Sequence, residues 1–329
     1  MDFLLAPMAE ISHRAFRELI ENFGGCDLFF TEMISSGGLL AGGPFEKWYI
    51  DSGPKPEKCV FQLVGSDIDQ ISRAAVLLDR LECAGIDINM GCSAPLIRKT
   101  GAGAAWMASV DRAGELISRI RPQIKRKLSV KLRIGFKDDF EYLVRFCRRL
   151  EAEGTELITL HPRTVTEKFK RLARWEYVGA LRQELKIPVA GNGDIASAEE
   201  LVRRAAGPCD AVMVGRAAVR QPWIFAEARR LEKNELCPRN NEVGATSPKT
   251  PSASSVPNFA GLEETGLRFL ELLARYQPPE FHISRAKRFF GFYCDNLKFG
   301  NYLKNQLNRE QTLASLERVW QKYFRENES

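Results

Sequence analysis

The sequence has no CxxC pair, no apolar run long enough to cross a bilayer, and no GxGxxG glycine pattern behind its first apolar segment. Each absence removes a class of protein. Eight cysteines, Cys26, Cys59, Cys83, Cys92, Cys147, Cys209, Cys237 and Cys294, are scattered with no histidine beside them. That scatter argues against a disulfide framework and against a structural zinc site, so no metal is expected and most thiols read as small buried apolar groups. The longest apolar runs, such as Ala74–Leu78 and Val212–Val214, fall far short of the about 20 residues that a membrane span needs. The start of the chain reaches Pro7 with no basic stretch ahead of an apolar one, which speaks against a secretory signal and for the cytoplasm. Without GxGxxG after the first strand, a doubly wound dinucleotide fold loses its usual mark. A net charge of +6 is mildly basic, compatible with a polyanionic partner without naming one.

What is present is a repeat of short apolar runs separated by amphipathic stretches. Phe3–Ala6, Leu28–Thr31, Cys59–Val64, Gly85–Asn89, Leu128–Leu132, Leu157–Leu160, Pro188–Ala190 and Ala211–Val214 read as eight strands. Asp67–Ala84, Val110–Ile124, Asp138–Glu153 and Ala196–Ala206 are among the helical segments between them. Strand and helix alternate throughout, which predicts an α/β fold, a (β/α)8 TIM barrel. The segment 234–261 is rich in Pro, Ser, Asn, Thr and Gly and reads as a flexible linker or an insertion. Beyond it, Leu262–Tyr276, Phe281–Leu297, Asn301–Gln306 and Gln311–Phe324 carry helix-period apolar residues. The expected organisation is a catalytic barrel over 1–233, the linker, and a C-terminal all-helical domain over 262–329.

A (β/α)8 barrel builds its active site from the C-terminal ends of its strands. In the sequence those ends carry Pro7-Met8-Ala9, Glu32-Met33, Gln62, Asn89 followed by Cys92, Lys131 and Arg133, His161-Pro162-Arg163, Gly191-Asn192-Gly193-Asp194, and Gly215-Arg216. One such residue is usually a paired structural group. A polar group at nearly every strand end is different, because each one buried without a partner costs about 1–3 kcal/mol and a shared ligand satisfies them together. The glycines after strands seven and eight suit a phosphate held on backbone N–H groups, with Arg216 adding charge. Gln62 can pair with the donor and acceptor edge of an isoalloxazine ring, and Lys131 can stabilise negative charge on it, which favours FMN. Phosphosugar isomerases and aldolases use the same phosphate corner. Cys92, in the loop after strand four, has three chemistries open to it: nucleophile, metal ligand or proton donor.

In their order and spacing, these segments resemble the tRNA-dihydrouridine synthases over nearly the whole chain. The matching stretches are Leu5-Ala-Pro-Met-Ala9, Arg14-Ala-Phe-Arg17, Thr31-Glu-Met33, Phe61-Gln-Leu-Val-Gly65, Asp87-Ile-Asn-Met-Gly-Cys92, Val130-Lys-Leu-Arg133, His161-Pro-Arg-Thr164, Gly191-Asn-Gly-Asp194, Val214-Gly-Arg-Ala-Ala218 and Pro222-Trp-Ile-Phe225. The resemblance implies an FMN-dependent reduction of the C5–C6 double bond of uridines in tRNA, with NADPH as electron donor. It implies that Pro7, Met8 and Ala9 line the flavin through backbone contacts and that Gln62 and Lys131 bind its ring. Asn192, Gly193, Asp194, Gly215 and Arg216 hold the phosphate end, and His161 approaches the flavin. Asn89 and Arg163 position the uridine. Cys92 becomes the general acid that protonates C5 after hydride reaches C6, and no basic residue adjoins it in Asn89–Ser93, as suits a protonated thiol.

The resemblance also implies that the C-terminal helices bind tRNA, with Arg285, Lys287, Arg288, Lys298 and Lys304 available for it. On composition alone such residues equally describe a solvated helix face. Tyr276, Phe289, Phe290 and Tyr293 read as core. Two departures stand out. Ser93 replaces the proline that commonly follows the family cysteine, and Val165–Trp175 is unusually basic, so that Lys168, Lys170, Arg171 and Arg174 are expected to add phosphate contacts. Rival readings are an FMN barrel oxidoreductase acting on a free pyrimidine or a dihydroorotate-like acid, and an RNA-binding protein with a vestigial barrel. One site per barrel makes a monomer sufficient.

Overall fold

A computed structural model describes residues 1–167, 170–236 and 257–327. Eight strands close into a barrel in sequence order: β1 (Asp2–Leu5), β2 (Leu28–Ser35), β3 (Cys59–Val64), β4 (Gly85–Met90), β5 (Lys127–Gly135), β6 (Leu157–Thr164), β7 (Val189–Asn192) and β8 (Ala211–Val214). All neighbouring pairs are parallel, and β8 returns to β1 with Asp2 beside Ala211 and Leu5 beside Val214. Both faces of each strand are covered, which is why they read as continuous apolar runs.

Register sets what faces the barrel axis. Leu4, Phe30, Val60, Ala190, Ala211 and Met213 pack together as an apolar floor. One step toward the C-terminal ends, Gln62 lies beside Asp87, Asp87 beside Ser129, Asn89 beside Lys131, Lys131 beside Thr159, and Arg133 beside His161. Residues paired across parallel strands share a face and alternate residues repeat it. The floor is therefore topped by successive polar layers, which contain Gln62, Asn89, Lys131, Arg133 and His161.

Strands β2, β5 and β6 run three or four residues past their expected ends, and bulges explain two of them. From Arg133↔His161 to Gly135↔Thr164, β5 advances two residues while β6 advances three. The extra residue falls at Pro162–Arg163, where a proline that cannot donate to the ladder is tolerated. Between β2 and β3 the register shifts in the same way from Phe30↔Val60 to Met33↔Gln62, which lets Thr31 and Glu32 continue the strand.

The chain gathers into two compact units. The first holds Met1–Ser12, Asp27–Ile195 and Arg204–Gly215, and so contains every strand. The second holds His13–Cys26, Ala196–Arg203 and Arg216–Ser329. In it, helix Arg14–Asn22 buries Ala15, Phe16, Leu19 and Ile20, and the Phe16 ring meets Phe289 edge-on at 6.2 Å. The late helices are Phe259–Tyr276, Pro279–Tyr293, Gly300–Leu307 and Leu313–Asn327. Phe289 stacks on Phe269 at 3.9 Å and on Tyr293 at 4.9 Å, while Phe290 packs against Trp320 at 4.7 Å. The expected core aromatics Phe289, Phe290 and Tyr293 are thus buried. Tyr276 is only half-buried, with the Arg14 guanidinium 3.9 Å from its ring centre.

Of the expected linker, helix Ile224–Leu236 occupies the first residues and helix Phe259–Tyr276 the last, while 237–256 lies outside the described residues. Arg285 is corrected from a surface cation to a buried one. It is 2% exposed, its guanidinium donates to Gln277 Oε1 and lies 4.6 Å from the Phe281 ring centre. Lys304 pairs with Asp295. No helix of the described residues is long and apolar enough to cross a membrane.

Candidate active site

A chain of amides and carboxylates spans three strands at the barrel mouth. Gln62 on β3 donates from Nε2 to Asp87 Oδ2 at 2.7 Å and accepts at Oε1 from Asn89 Nδ2 at 2.8 Å. Ser129 Oγ donates to Asp87 Oδ1 at 2.6 Å. A primary amide has two donors and two acceptor positions, so Gln62 keeps one of each for a ligand. Burial pushes the Asp87 carboxyl up to about 6, against the pull of Ser129, Gln62 and Lys131.

Asn89 in turn fixes Cys92. Its Oδ1 accepts from the N–H of Cys92 at 2.9 Å and of Gly91 at 3.2 Å, and the Cys92 carbonyl accepts from Ala104 N–H at 3.0 Å. Gly103 makes that approach possible. Its φ is +59°, and a Cβ there would stand 2.7 Å from the Cys92 carbonyl oxygen. The half-buried thiol is therefore held through its own backbone on both sides. The cations near it come from another strand: Lys131 and Arg133 of β5 both lie within electrostatic reach of Cys92.

Lys131 bears a charge that burial disfavours and that Asp87 and Cys92 favour. Burial, with Arg133 adding to it, pulls its ammonium down to about 8. Among the described residues no carbonyl or carboxylate hydrogen-bonds its Nζ. Thr159, its register neighbour on β6, has a buried hydroxyl with no hydrogen-bond partner among the described residues. An ammonium and a buried hydroxyl without hydrogen-bond partners among the described residues, on β5 and β6, and a half-used amide on β3 fit an electron-rich, hydrogen-bonding ligand such as a flavin ring.

The other side of the mouth is built around Arg163. Arg163 is buried, and its guanidinium pairs with Asp194, donates from Nε to the Arg171 carbonyl at 2.5 Å, and meets His161 Nε2 at 2.9 Å. A guanidinium only donates, so His161 accepts at Nε2 and carries its hydrogen on Nδ1. Gly193 backs this histidine with φ +121°, and a Cβ there would lie 2.9 Å from His161 Cδ2. Asn192 Nδ2 donates to the Met213 carbonyl at 2.7 Å, joining the ends of β7 and β8.

Pro7, Met8 and Ala9 follow β1. The Met8 N–H donates to Ser12 Oγ at 2.8 Å and its carbonyl accepts from Ser12 and Ile11, so Met8 has its backbone engaged. The Ala9 N–H has no acceptor among the described residues. Gly215 lies beside this turn, where an added Cβ would touch Ala6 and the Met8 sulfur at 3.7 Å. Arg216 is exposed and opens helix Arg216–Arg220, which belongs to the second unit.

The basic stretch after β6 is corrected in part. Arg174 does not reach outward; it forks onto Glu167 at 2.9 and 2.6 Å and lies 3.0 Å from Asp138. Arg174 holds the Glu167 carboxyl down to about 2 from its ordinary 4.5. A depressed carboxyl contributes stability that is full above 4.5 and lost as pH falls through about 2. Arg174→Met is accordingly expected to lower stability by about 1–3 kcal/mol near neutral pH, with the loss shrinking in acid, read from thermal midpoints across pH. Lys170 and Arg171 are exposed, and Lys168 lies outside the described residues.

Residues central to this geometry but not singled out from the sequence are Asp87, Ser129, Thr159 and Glu167. A carboxylate in the middle of the apolar run Gly85–Met90 is the sequence signal for Asp87. In the second unit Phe299 and Tyr302 are each 65% exposed, with Lys298 5.4 Å from the Phe299 ring centre. Phe299 has φ +57°, a conformation that bulky residues seldom adopt. Both fall on the helical apolar period with Leu303 and Leu307, so the sequence does not set them apart from core residues.

Fold and site together define a (β/α)8 barrel with polar and charged side chains gathered at the C-terminal strand ends. Comparison with known proteins narrows the class. Residues 4–259 match the family model "Dihydrouridine synthase (Dus)". The chain is 34% identical over 242 residues to the Aquifex aeolicus protein named "Probable tRNA-dihydrouridine synthase", covering 71% of this chain and 74% of that one. A Rhodobacter capsulatus protein of the same name is 29% identical over 297 residues, covering 89% and 86%. The "tRNA-dihydrouridine(16) synthase" of Ralstonia nicotianae is 29% identical over 239 residues, covering 69% and 72%. The chain belongs to the dihydrouridine synthase family.

Proposed function

We propose that this protein is a cytoplasmic tRNA-dihydrouridine synthase that uses FMN and NADPH to reduce the C5–C6 double bond of uridine in tRNA. The observation that carries the reading is the Cys92 thiol, pinned by Asn89 and Ala104 within electrostatic reach of the Lys131 ammonium. FMN, when bound, would supply hydride for reduction at C6 of the uracil ring. Lys131 and Gln62 bind the flavin ring, the first by charge and the second by its spare amide donor and acceptor. The Ala9 N–H and the backbone of Pro7 and Met8 line the ring, with His161 beside it. Asn192, Gly193, Asp194, Gly215 and Arg216 hold the phosphate end.

Cys92 donates its Sγ proton to C5 as negative charge develops there and toward O4. Asn89 keeps the thiol at the mouth, and Arg163 orients the uridine pocket through His161 and Asp194. A free pyrimidine needs none of the helices beyond residue 257. A uridine inside folded tRNA needs an anchoring surface outside the barrel, and the helical unit, with Lys298, Phe299 and Tyr302 exposed, supplies a basic and aromatic one.

The purified protein is expected to carry flavin absorbance and, with NADPH, to form dihydrouridine in unmodified tRNA. If it forms none, and tRNA from a strain lacking the gene keeps dihydrouridine at every position, the assignment is wrong.

A further inference from the structure

Two leucines of the barrel unit stand in solvent, Leu96 at 80% exposure and Leu172 at 81%. Both follow C-terminal strand ends: Leu96 comes four residues after Cys92 in the β4 loop, and Leu172 lies in the loop after β6. Arg133 of the intervening β5 ties the roots of these loops together, donating from Nε to the Gly91 carbonyl at 3.1 Å and from Nη1 to the Thr164 carbonyl at 3.2 Å.

Leu172 is also held from beneath. The carbonyl before it, on Arg171, accepts from Arg163 Nε at 2.5 Å, and the amide after it, on Ala173, donates to Asp194 Oδ2 at 2.6 Å. Arg163 and Asp194 pair with each other. Single exposed leucines are ordinary on protein surfaces. This one has both neighbouring peptides clamped by charged groups of the active site, so its position is fixed while its side chain is left bare. The surroundings are cationic. Lys170 and Arg171, both exposed, precede Leu172, with Arg171 Nε 3.8 Å from Glu167, and Arg98 and exposed Lys99 follow Leu96. An apolar tip between cations matches a nucleic acid strand, which offers base faces to the tip and phosphates to the cations.

We propose that Leu172, assisted by Leu96, is a wedge that fills the stacking place vacated when the target uridine turns into the barrel. It packs on the face of the adjacent base, while Lys170, Arg171 and Lys99 take flanking phosphates. This inference rests on the tRNA reading above. Extruding a base exposes its former neighbour to water, and an apolar side chain fixed at the pocket rim covers that face and disfavours return of the uridine to the stack.

The test uses the flavin-loaded full chain and an unmodified tRNA transcript. Wild-type turnover comes first, and a failure of the tRNA reading shows itself there as no dihydrouridine. With turnover established and its position mapped, Leu172→Ala is expected to lower kcat/KM by about tenfold. Leu172→Met is expected to restore most of it, and the thermal midpoints of all three proteins are expected to agree. A transcript with 2-aminopurine beside the reduced uridine reports the wedge directly. Its emission should rise strongly on binding wild-type protein and clearly less on binding Leu172→Ala, because the unfilled gap lets the neighbouring bases restack. Equal emission with the two proteins overturns the proposal even where turnover differs, and so does an unchanged kcat/KM.

Discussion

Cys92→Ala is expected to retain its flavin and its thermal midpoint while losing dihydrouridine formation by about 10²–10⁴-fold, the usual weight of a positioned general acid. The fold gives a reason to expect that separation. The backbone of Cys92 is held by Asn89 and Ala104 and shaped by Gly103, and none of these contacts uses the sulfur. Alanine at this position removes the proton donor and little else. A merely structural cysteine would show the reverse pattern, a lower midpoint with turnover intact. Exposure distinguishes this thiol as well. Among the described residues the other cysteines are buried, and burial pushes Cys83 and Cys209 up to about 11 and Cys294 up to about 12, which keeps them protonated and unreactive. Alkylation followed by peptide mass spectrometry should therefore modify the Cys92 peptide ahead of those, and bound tRNA should slow it. Full turnover in Cys92→Ala would refute the proton-donor role.

The barrel is legible in the sequence because its strands are buried on both faces and must be apolar throughout, while the positions that break this rule, such as Gln62 and Lys131, are those facing the mouth. What escapes is whatever depends on partners distant along the chain. Pro162 looks like the end of a strand, and only the bulge against Arg133–Gly135 shows that β6 continues through it. Charge counting makes the stretch after β6 look uniformly cationic, yet Glu167 and the distant Asp138 hold Arg174 inward. No basic residue adjoins Cys92 in sequence, yet β5 brings Lys131 and Arg133 within electrostatic reach of it. Arg285 has the spacing of a solvated helix face and is buried against Gln277 and Phe281. In each case local chemistry was readable and its cross-chain partner was not.

Lys131→Met carries the second large expectation: turnover lower by about 10²–10³-fold, the scale seen when one electrostatic contact to a developing charge is removed, together with weaker flavin retention. The same substitution should make the flavin-free protein more stable, and pH gives the sign. Burial, then Arg133, lowers Lys131 from 10.5 to about 8, so the folded chain holds this proton less tightly than the unfolded one. Its contribution to stability is present above 10.5 and lost as pH falls through about 8, so near neutrality the charged lysine opposes folding. Flavin-free Lys131→Met should then melt above wild type at neutral pH, and the gap should close as pH climbs from about 8 toward 10.5. A ligand that accepts from the ammonium favours its charged form and raises its pKa on binding. Flavin affinity of the wild type should accordingly weaken as pH rises through about 8, a dependence that Lys131→Met abolishes. Asp87 sets the acid side, since protonation below about 6 removes an anion that Lys131, Ser129 and Gln62 all face. Titrating flavin binding by fluorescence across this range tests the assignment, and an affinity that does not change across pH 8 in the wild type would take Lys131 away from the ring.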